Sequence, residues 1–130
     1  MDNNVKEFSC RVLIAEDDET SGIMLKKILN KFGLDSVLVK NGLEAVEYYK
    51  KEEFDLILMD IQMPIMDGIE ATRQIRDTSK NKERRIPIIA ATAYVLSSNL
   101  DRCLEIGMDD YISKPINFKL LDQKIKQYLY

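Results

Sequence analysis

The sequence of 130 residues contains no histidine. That absence excludes Ser-His and Cys-His nucleophile pairs and every histidine metal site. Cysteine is scarce as well. Cys10 and Cys103 stand far apart, fit no metal spacing, and read as ordinary thiols. There is no basic excess: 22 acidic residues against 19 basic ones leave a net charge of −3, which argues against direct nucleic-acid binding. No apolar run approaches the roughly 20 residues needed to cross a bilayer. The polar start Met1-Asp2-Asn3-Asn4 lacks the apolar centre of a signal peptide. A cytoplasmic protein with no direct membrane contact is therefore expected. No internal repeat, low-complexity tract or linker is visible.

What is present is 45% hydrophobic and 32% charged, the composition of one globular domain with a real core. Any chemistry falls to carboxylates, hydroxyls, lysine and a hard cation. Five short apolar runs alternate with helical patterns. Arg11 to Ala15 reads as a buried strand ending in Glu16-Asp17-Asp18. A helix starts near Glu19, carries Leu25, Ile28, Leu29 and Phe32 on one face, and is closed by Gly33. Ser36 to Val39 is a second strand. A second helix, Leu43 to Lys51, is expected to turn Leu43, Val46 and either Tyr48 or Tyr49 inward.

Leu56 to Met59 form a strand with no polar alternation, hence buried on both faces, and Asp60 stands at its end. Met63-Pro64 and Asp67-Gly68 punctuate the loop before a third helix that runs to about Asp77, with Ile69 and Ile75 among its apolar contacts. Thr78 to Arg85 reads as a charged loop. Ile86 to Ala91 is a fourth buried strand, with Pro87 near its start and Thr92 at its end. The helix after it places Leu96, Leu100, Cys103 and Leu104 on one face and stops at Gly107. Asp110 to Ser113 is a fifth strand leading into Lys114-Pro115. Asn117 caps a last helix with Phe118, Leu121, Ile125 and Tyr128 or Leu129 inward.

Five strand-helix repeats imply an α/β fold: a doubly wound parallel sheet with helices on both faces and its functional crevice at the C-terminal strand ends. Four strands end there with reactive side chains: Glu16 and Asp17, Asp60, Thr92, and Lys114. The exit of the second strand, Lys40-Asn41-Gly42, offers nothing comparable.

Carboxylates gathered at one edge repel and call for a cation. An all-oxygen donor set selects Mg²⁺, or Mn²⁺, with the backbone carbonyl of Gln62 as a further oxygen. Lysine and threonine both stabilise phosphoryl oxygens. Asp60 can then act as a carboxylate nucleophile that accepts a phosphoryl group. Each residue taken singly has a plainer reading. Glu16, Asp17 or Asp18 can cap the first helix, and Asp18 keeps that role. Asp60 can cap a loop, Thr92 can cap the next helix, and Lys114 can be a solvated surface lysine.

The stretches Val12 to Asp18, Asp55 to Gly68, Ile88 to Ala93 and Asp109 to Pro115 resemble, in order, the motifs of the response-regulator receiver domains of bacterial two-component signalling. The resemblance covers about residues 9 to 129, which leaves 1–8 as an N-terminal extension and 9–130 as the receiver domain. It implies a flavodoxin-like sheet of order 2-1-3-4-5. It makes Asp60 the phosphoacceptor, and Glu16 and Asp17 the acidic metal pair, with Glu in place of the more frequent first Asp. Thr92 becomes the switch hydroxyl, Lys114 the invariant lysine, and Pro115 its cis-peptide partner. Tyr111 becomes the aromatic whose rotamer follows activation, and its plainer reading as a half-buried core tyrosine is compatible with that. Gln62 and Tyr94 fall at variable positions that tune self-dephosphorylation. Their size implies hindered water access and a slow loss of phosphate.

The switch so implied draws Thr92 toward the phosphoryl group, lets Tyr111 fill the vacated space, and changes the partner surface formed by the helix after the fourth strand, the fifth strand and the last helix. The phosphodonor must be another protein or another part of a longer one: a sensor histidine kinase or a histidine phosphotransfer domain. The wording from Met59 to Thr72 resembles receivers of hybrid sensor histidine kinases, with a stand-alone single-domain regulator as the alternative. A monomer or a weak, phosphorylation-linked dimer is expected.

Three other classes fit less well. A phosphatase of the haloacid-dehalogenase type needs a second acid two residues after its nucleophile, where this chain has Gln62. A flavodoxin-like cofactor binder needs a Ser/Thr/Gly-rich phosphate loop after the first strand, where Glu16-Asp17-Asp18 would repel an anion. A degenerate receiver serving only as a docking module is disfavoured because no site residue is missing.

Overall fold

The computed structural model describes residues 10–93 and 97–130. The expected N-terminal extension, Tyr94 and Leu96 lie outside these residues, as does the side chain of Leu100. The elements run β1 (Arg11–Ala15), α1 (Glu19–Lys31), β2 (Asp35–Val39), α2 (Gly42–Lys51), β3 (Leu56–Asp60), α3 (Gly68–Asp77), α4 (Ser79–Glu83), β4 (Ile88–Thr92), α5 (Ser97–Glu105), β5 (Asp110–Ser113) and α6 (Phe118–Leu129). The five strands form one sheet in the order β2-β1-β3-β4-β5, and every pairing is parallel. This is the flavodoxin-like order expected.

β3 lies at the centre and is buried along its whole length. Its side chains alternate between two cores. Ile57 and Met59 join Leu13, Val46, Tyr49 and Ile75 on one side of the sheet. Leu56 and Leu58 join Ile14, Leu25, Leu29 and Leu121 on the other. Each such side chain contributes on the order of 1.5–3 kcal/mol by leaving water. An unbroken apolar run is thus what a strand between two helix layers requires.

Helix ends follow their local chemistry. Asp18, Asn41, Asp67 and Asn117 each accept an amide of the first turn of α1, α2, α3 and α6. Asp18 therefore has the capping role assigned to it, and Ser21 holds its carboxyl below the usual range by donating from both hydroxyl and amide. Gly33 and Gly107, the expected terminators, take φ of +82° and +113°.

Several expectations are corrected. The segment after α3 is not wholly a loop. Ser79–Glu83 form the short helix α4, capped by the Thr78 hydroxyl. It is held from outside: Lys80 donates to the carbonyls of Tyr49 and Glu52, capping the C-terminal end of α2, and Arg76 donates to Asn81. β4 starts at Ile88 rather than Ile86, since Pro87 has no amide for the ladder and Ile86 donates instead to Asn81. Leu43 is 40% exposed because the inward stripe of α2 runs through Gly42, Ala45, Val46 and Tyr49. Leu104 also faces out, being about 100° around the helix from buried Cys103. Phe118 is partly exposed at the first position of α6, ahead of the turn that buries Leu121.

Candidate functional site

The parallel sheet delivers the ends of β1, β3, β4 and β5 to one edge. The β1 ladder continues one residue further, since the Glu16 amide donates to the Val39 carbonyl at 3.0 Å, and this leaves the Glu16 side chain buried. Asp17 follows on the exposed side. Asp60 is the last residue of β3, in register with Ala91, so Thr92 is the next residue along β4. Thr92 is buried, pairs in register with Ser113, and its carbonyl accepts the Lys114 amide at 2.9 Å. Lys114 thereby leaves β5 at the same level.

The side chains converge. Lys114 Nζ lies 2.5 Å from Glu16 Oε1 and 3.1 Å from Asp60 Oδ2. The other oxygens are also engaged: Glu16 Oε2 accepts the Asp18 amide at 3.0 Å, and Asp60 Oδ1 accepts the Gln62 amide at 3.3 Å. Burial pushes the Asp60 carboxyl up to about 6, opposed by Lys114 and reinforced by the charge on Glu16. Burial works against the Lys114 ammonium too, but its bonds to Glu16 and Asp60 outweigh this and raise its value.

Glu16, Asp17 and Asp60 each offer one oxygen, and these atoms lie within 4.8 Å of one another. Three carboxylates against one ammonium leave two negative charges, which matches a divalent cation. The donors are all oxygen, the ligand type of magnesium or manganese. The residues therefore fit such an ion.

The sequence-predicted residues Glu16, Asp17, Asp60, Thr92 and Lys114 thus meet at one edge. Lys114-Pro115 is a cis peptide, as expected. Tyr111 is half-buried, aligned with Ala90 on the core side that holds Ile57 and Met59, with Lys124 Nζ 5.9 Å above its ring. The Gln62 side chain is exposed.

The loop after Asp60 contains features that periodicity does not signal. Ile65 is 78% exposed and takes φ +71°, a region β-branched residues rarely occupy. Gly68 packs so closely on Asp60 that a Cβ would lie 2.1 Å from its carbonyl oxygen. Only the Asp-Gly pair hinted at a tight approach there.

An apolar pocket of about 380 Å³ opens beside Glu16 and Lys114, lined by Met24, Leu25, Ile116 and Phe118 among others. Another, of about 440 Å³, lies at the opposite sheet edge around Cys10, Tyr49 and Pro87, and none of Glu16, Asp17 and Asp60 lines it. Among the described residues no helix is long and apolar enough to cross a membrane.

The sequence pattern of the response regulator receiver domain matches residues 12–126. Hybrid signal transduction histidine kinase I of Dictyostelium discoideum is 43% identical over 120 residues, covering 88% of this chain but only 7% of that protein. The solved receiver domain of the sensor histidine kinase PA1611 from Pseudomonas aeruginosa, which holds a magnesium ion in its active-site cleft, superposes with a TM-score of 0.84 at 34% identity, covering 92% of this chain and 96% of that one. The receiver domain of Ssk1 from Saccharomyces cerevisiae, solved with the phosphotransfer protein Ypd1, gives a TM-score of 0.84 at 36% identity and covers 92% and 88% of the two chains.

Proposed function

The chain belongs to the response regulator receiver domain family of two-component signalling, and from that premise we propose that Asp60 is its phosphoacceptor. The observation that carries this reading is the cluster in which buried Asp60 shares Lys114 with buried Glu16 beside exposed Asp17.

An Asp60 oxygen attacks the phosphorus of a phosphohistidine on a partner. The new P–O bond forms as the P–N bond breaks, and the imidazole leaves on the partner with the electron pair, taking up a proton. Lys114, already 3.1 Å from Oδ2, neutralises the incoming phosphoryl oxygens. Glu16, Asp17, Asp60 and the Gln62 carbonyl would hold magnesium, which supplies the remaining positive charge. The solved PA1611 receiver with magnesium in its cleft supports this choice of ion.

Thr92, buried at the adjoining strand end, donates its hydroxyl to the phosphoryl group once the group is in place. Tyr111 then repacks, and the surface of α5, β5 and α6 changes its affinity for partners. Gln62 at the loop and Tyr94 tune the lifetime of the aspartyl phosphate by limiting water.

The donor is a histidine kinase or a histidine phosphotransfer domain, the latter supported by the solved pairing of Ypd1 with a similar receiver. The apolar pocket at Met24, Ile116 and Phe118 gives such a partner a seat next to Lys114. The 43% identity to the Dictyostelium hybrid kinase supports an origin as one domain of a hybrid sensor histidine kinase. The domain works in the cytoplasm, as a monomer or a weak, phosphorylation-linked dimer.

Intact-mass measurement after incubation with a small acyl phosphate and Mg²⁺ tests the reading. One added phosphoryl group is expected, absent without metal and absent in Asp60→Asn. A folded wild-type protein that gains no mass would reduce the domain to a docking module.

A further inference from the structure

α2 contributes no carboxylate, hydroxyl or amine to the site, yet it touches the loop that follows Asp60. The Gly42 amide, the first of α2, donates to the Met66 carbonyl at 2.8 Å. At the loop's other attachment, the Gly68 amide, the first of α3, donates to the Ile61 carbonyl at 2.9 Å. The segment after Asp60 is thus suspended between the first amides of two helices, both otherwise without an intrahelical partner.

Clearance at both attachments is nil. A Cβ on Gly42 would lie 2.5 Å from the Met66 carbonyl oxygen and 2.7 Å from that of Asp67. Both are backbone atoms, so the loop itself would have to shift. The Gly42 attachment therefore sets where the loop sits. Gln62, earlier in the same loop, donates its amide to Asp60 Oδ1.

We propose that Gly42 is a positioning residue for the cation site. It seats the β3–α3 loop so that the Gln62 carbonyl would join Asp60, at the end of β3, in holding one ion. This rests on the reading above in which those groups hold magnesium. Magnesium demands near-ideal octahedral geometry at about 2.0–2.1 Å, so a loop displaced by a few tenths of an ångström loses affinity.

The test is a Mg²⁺ titration of the full chain by calorimetry, with the Gln62 and Met63 amides followed by NMR. Gly42→Ala is expected to bind Mg²⁺ about tenfold more weakly, the scale seen when outer-shell support of a metal is removed. The metal-free Gln62 amide signal should also move. Gly33→Ala is the comparator: its φ of +82° makes it destabilising, and it has open space around it. It should lose stability and keep wild-type Mg²⁺ affinity.

If Gly42→Ala does not fold, Asn41→Ala takes its place. It removes the cap on the Glu44 amide and loosens the turn that carries Gly42, with an expected weakening of about threefold. Wild-type affinity in the folded loop-side variant, or an equal loss in Gly33→Ala, overturns the proposal. A wild-type chain that binds no Mg²⁺ overturns the metal reading, and the positioning role with it.

Discussion

Lys114 is held closer by Glu16, at 2.5 Å, than by Asp60, at 3.1 Å. Glu16, just past the end of β1, holds the ammonium at the shorter of the two distances. Asp60 then shares a cation that is already in place. Replacing Lys114 by Met should expose the repulsion between two buried carboxylates. A fully buried charge stripped of its partner costs about 3–5 kcal/mol; with Lys114 partly solvated, a loss of about 1–3 kcal/mol at pH 7 is expected. Urea denaturation reads it, and added Mg²⁺ should restore part of the loss. Unchanged stability would mean that the pair is screened by water.

Asp60 gives the metal-free protein a pH dependence of definite sign. Its carboxyl is raised from 3.8 to about 6 by burial, so the folded state holds the proton more tightly than the unfolded chain does. The associated stability is present in full below the unfolded value and is lost as the pH rises through about 6. Asp60→Asn should therefore be more stable than wild type at pH 7 in a chelator, by on the order of 1–2 kcal/mol, with the gap closing toward pH 4. Thermal melts across that range decide it, and a gap that stays constant with pH would count against the burial argument.

Thr72 lies fully buried in α3, and its hydroxyl has no hydrogen-bond partner among the described residues. Valine has nearly the same shape without the polar atom. Thr72→Val should raise stability by about 1 kcal/mol, the lower range for an unsatisfied buried group. The urea midpoint should rise with an unchanged slope, and a lower midpoint would show that the hydroxyl is in fact satisfied.

Arg76 is largely buried and binds the Gly107 carbonyl twice, the Ile86 carbonyl, Asn81 and Asp109. Burial is the main cause of its lowered pKa. Lysine keeps the charge but cannot make five bonds to four acceptors. Arg76→Lys should cost about 2–3 kcal/mol and speed hydrogen exchange at Met108 and Ile88. Exchange unchanged at those amides would show the network to be redundant.

The site was legible because its chemistry lies at strand ends, and the apolar runs ending at Ala15, Met59 and Ala91 mark those ends directly. Asn41 and Gly42 were not. In sequence they are a turn signal, and the Met66 carbonyl that Gly42 meets lies 24 residues away in the loop after a different strand. The helix at Ser79–Glu83 was equally hidden. Five residues carry no apolar stripe, and its support comes from Arg76 and from the carbonyls of α2. Leu43, Leu104 and Phe118 misled because an apolar residue next to a buried stripe looks the same in sequence as one inside it.

β3 is apolar on both faces, so its hydrophobic pattern does not distinguish one alignment with its neighbours from another shifted by a residue. The acids at its two ends do. Asp55, just before the strand, accepts the Arg11 amide and the Arg84 guanidinium, while Asp60 meets Lys114 at the far end. A one-residue slip would carry one carboxylate away from its partners and drive the other toward apolar surroundings. The residue proposed to receive phosphate is thus also half of a two-point key that tells the folding chain where β3 must stop.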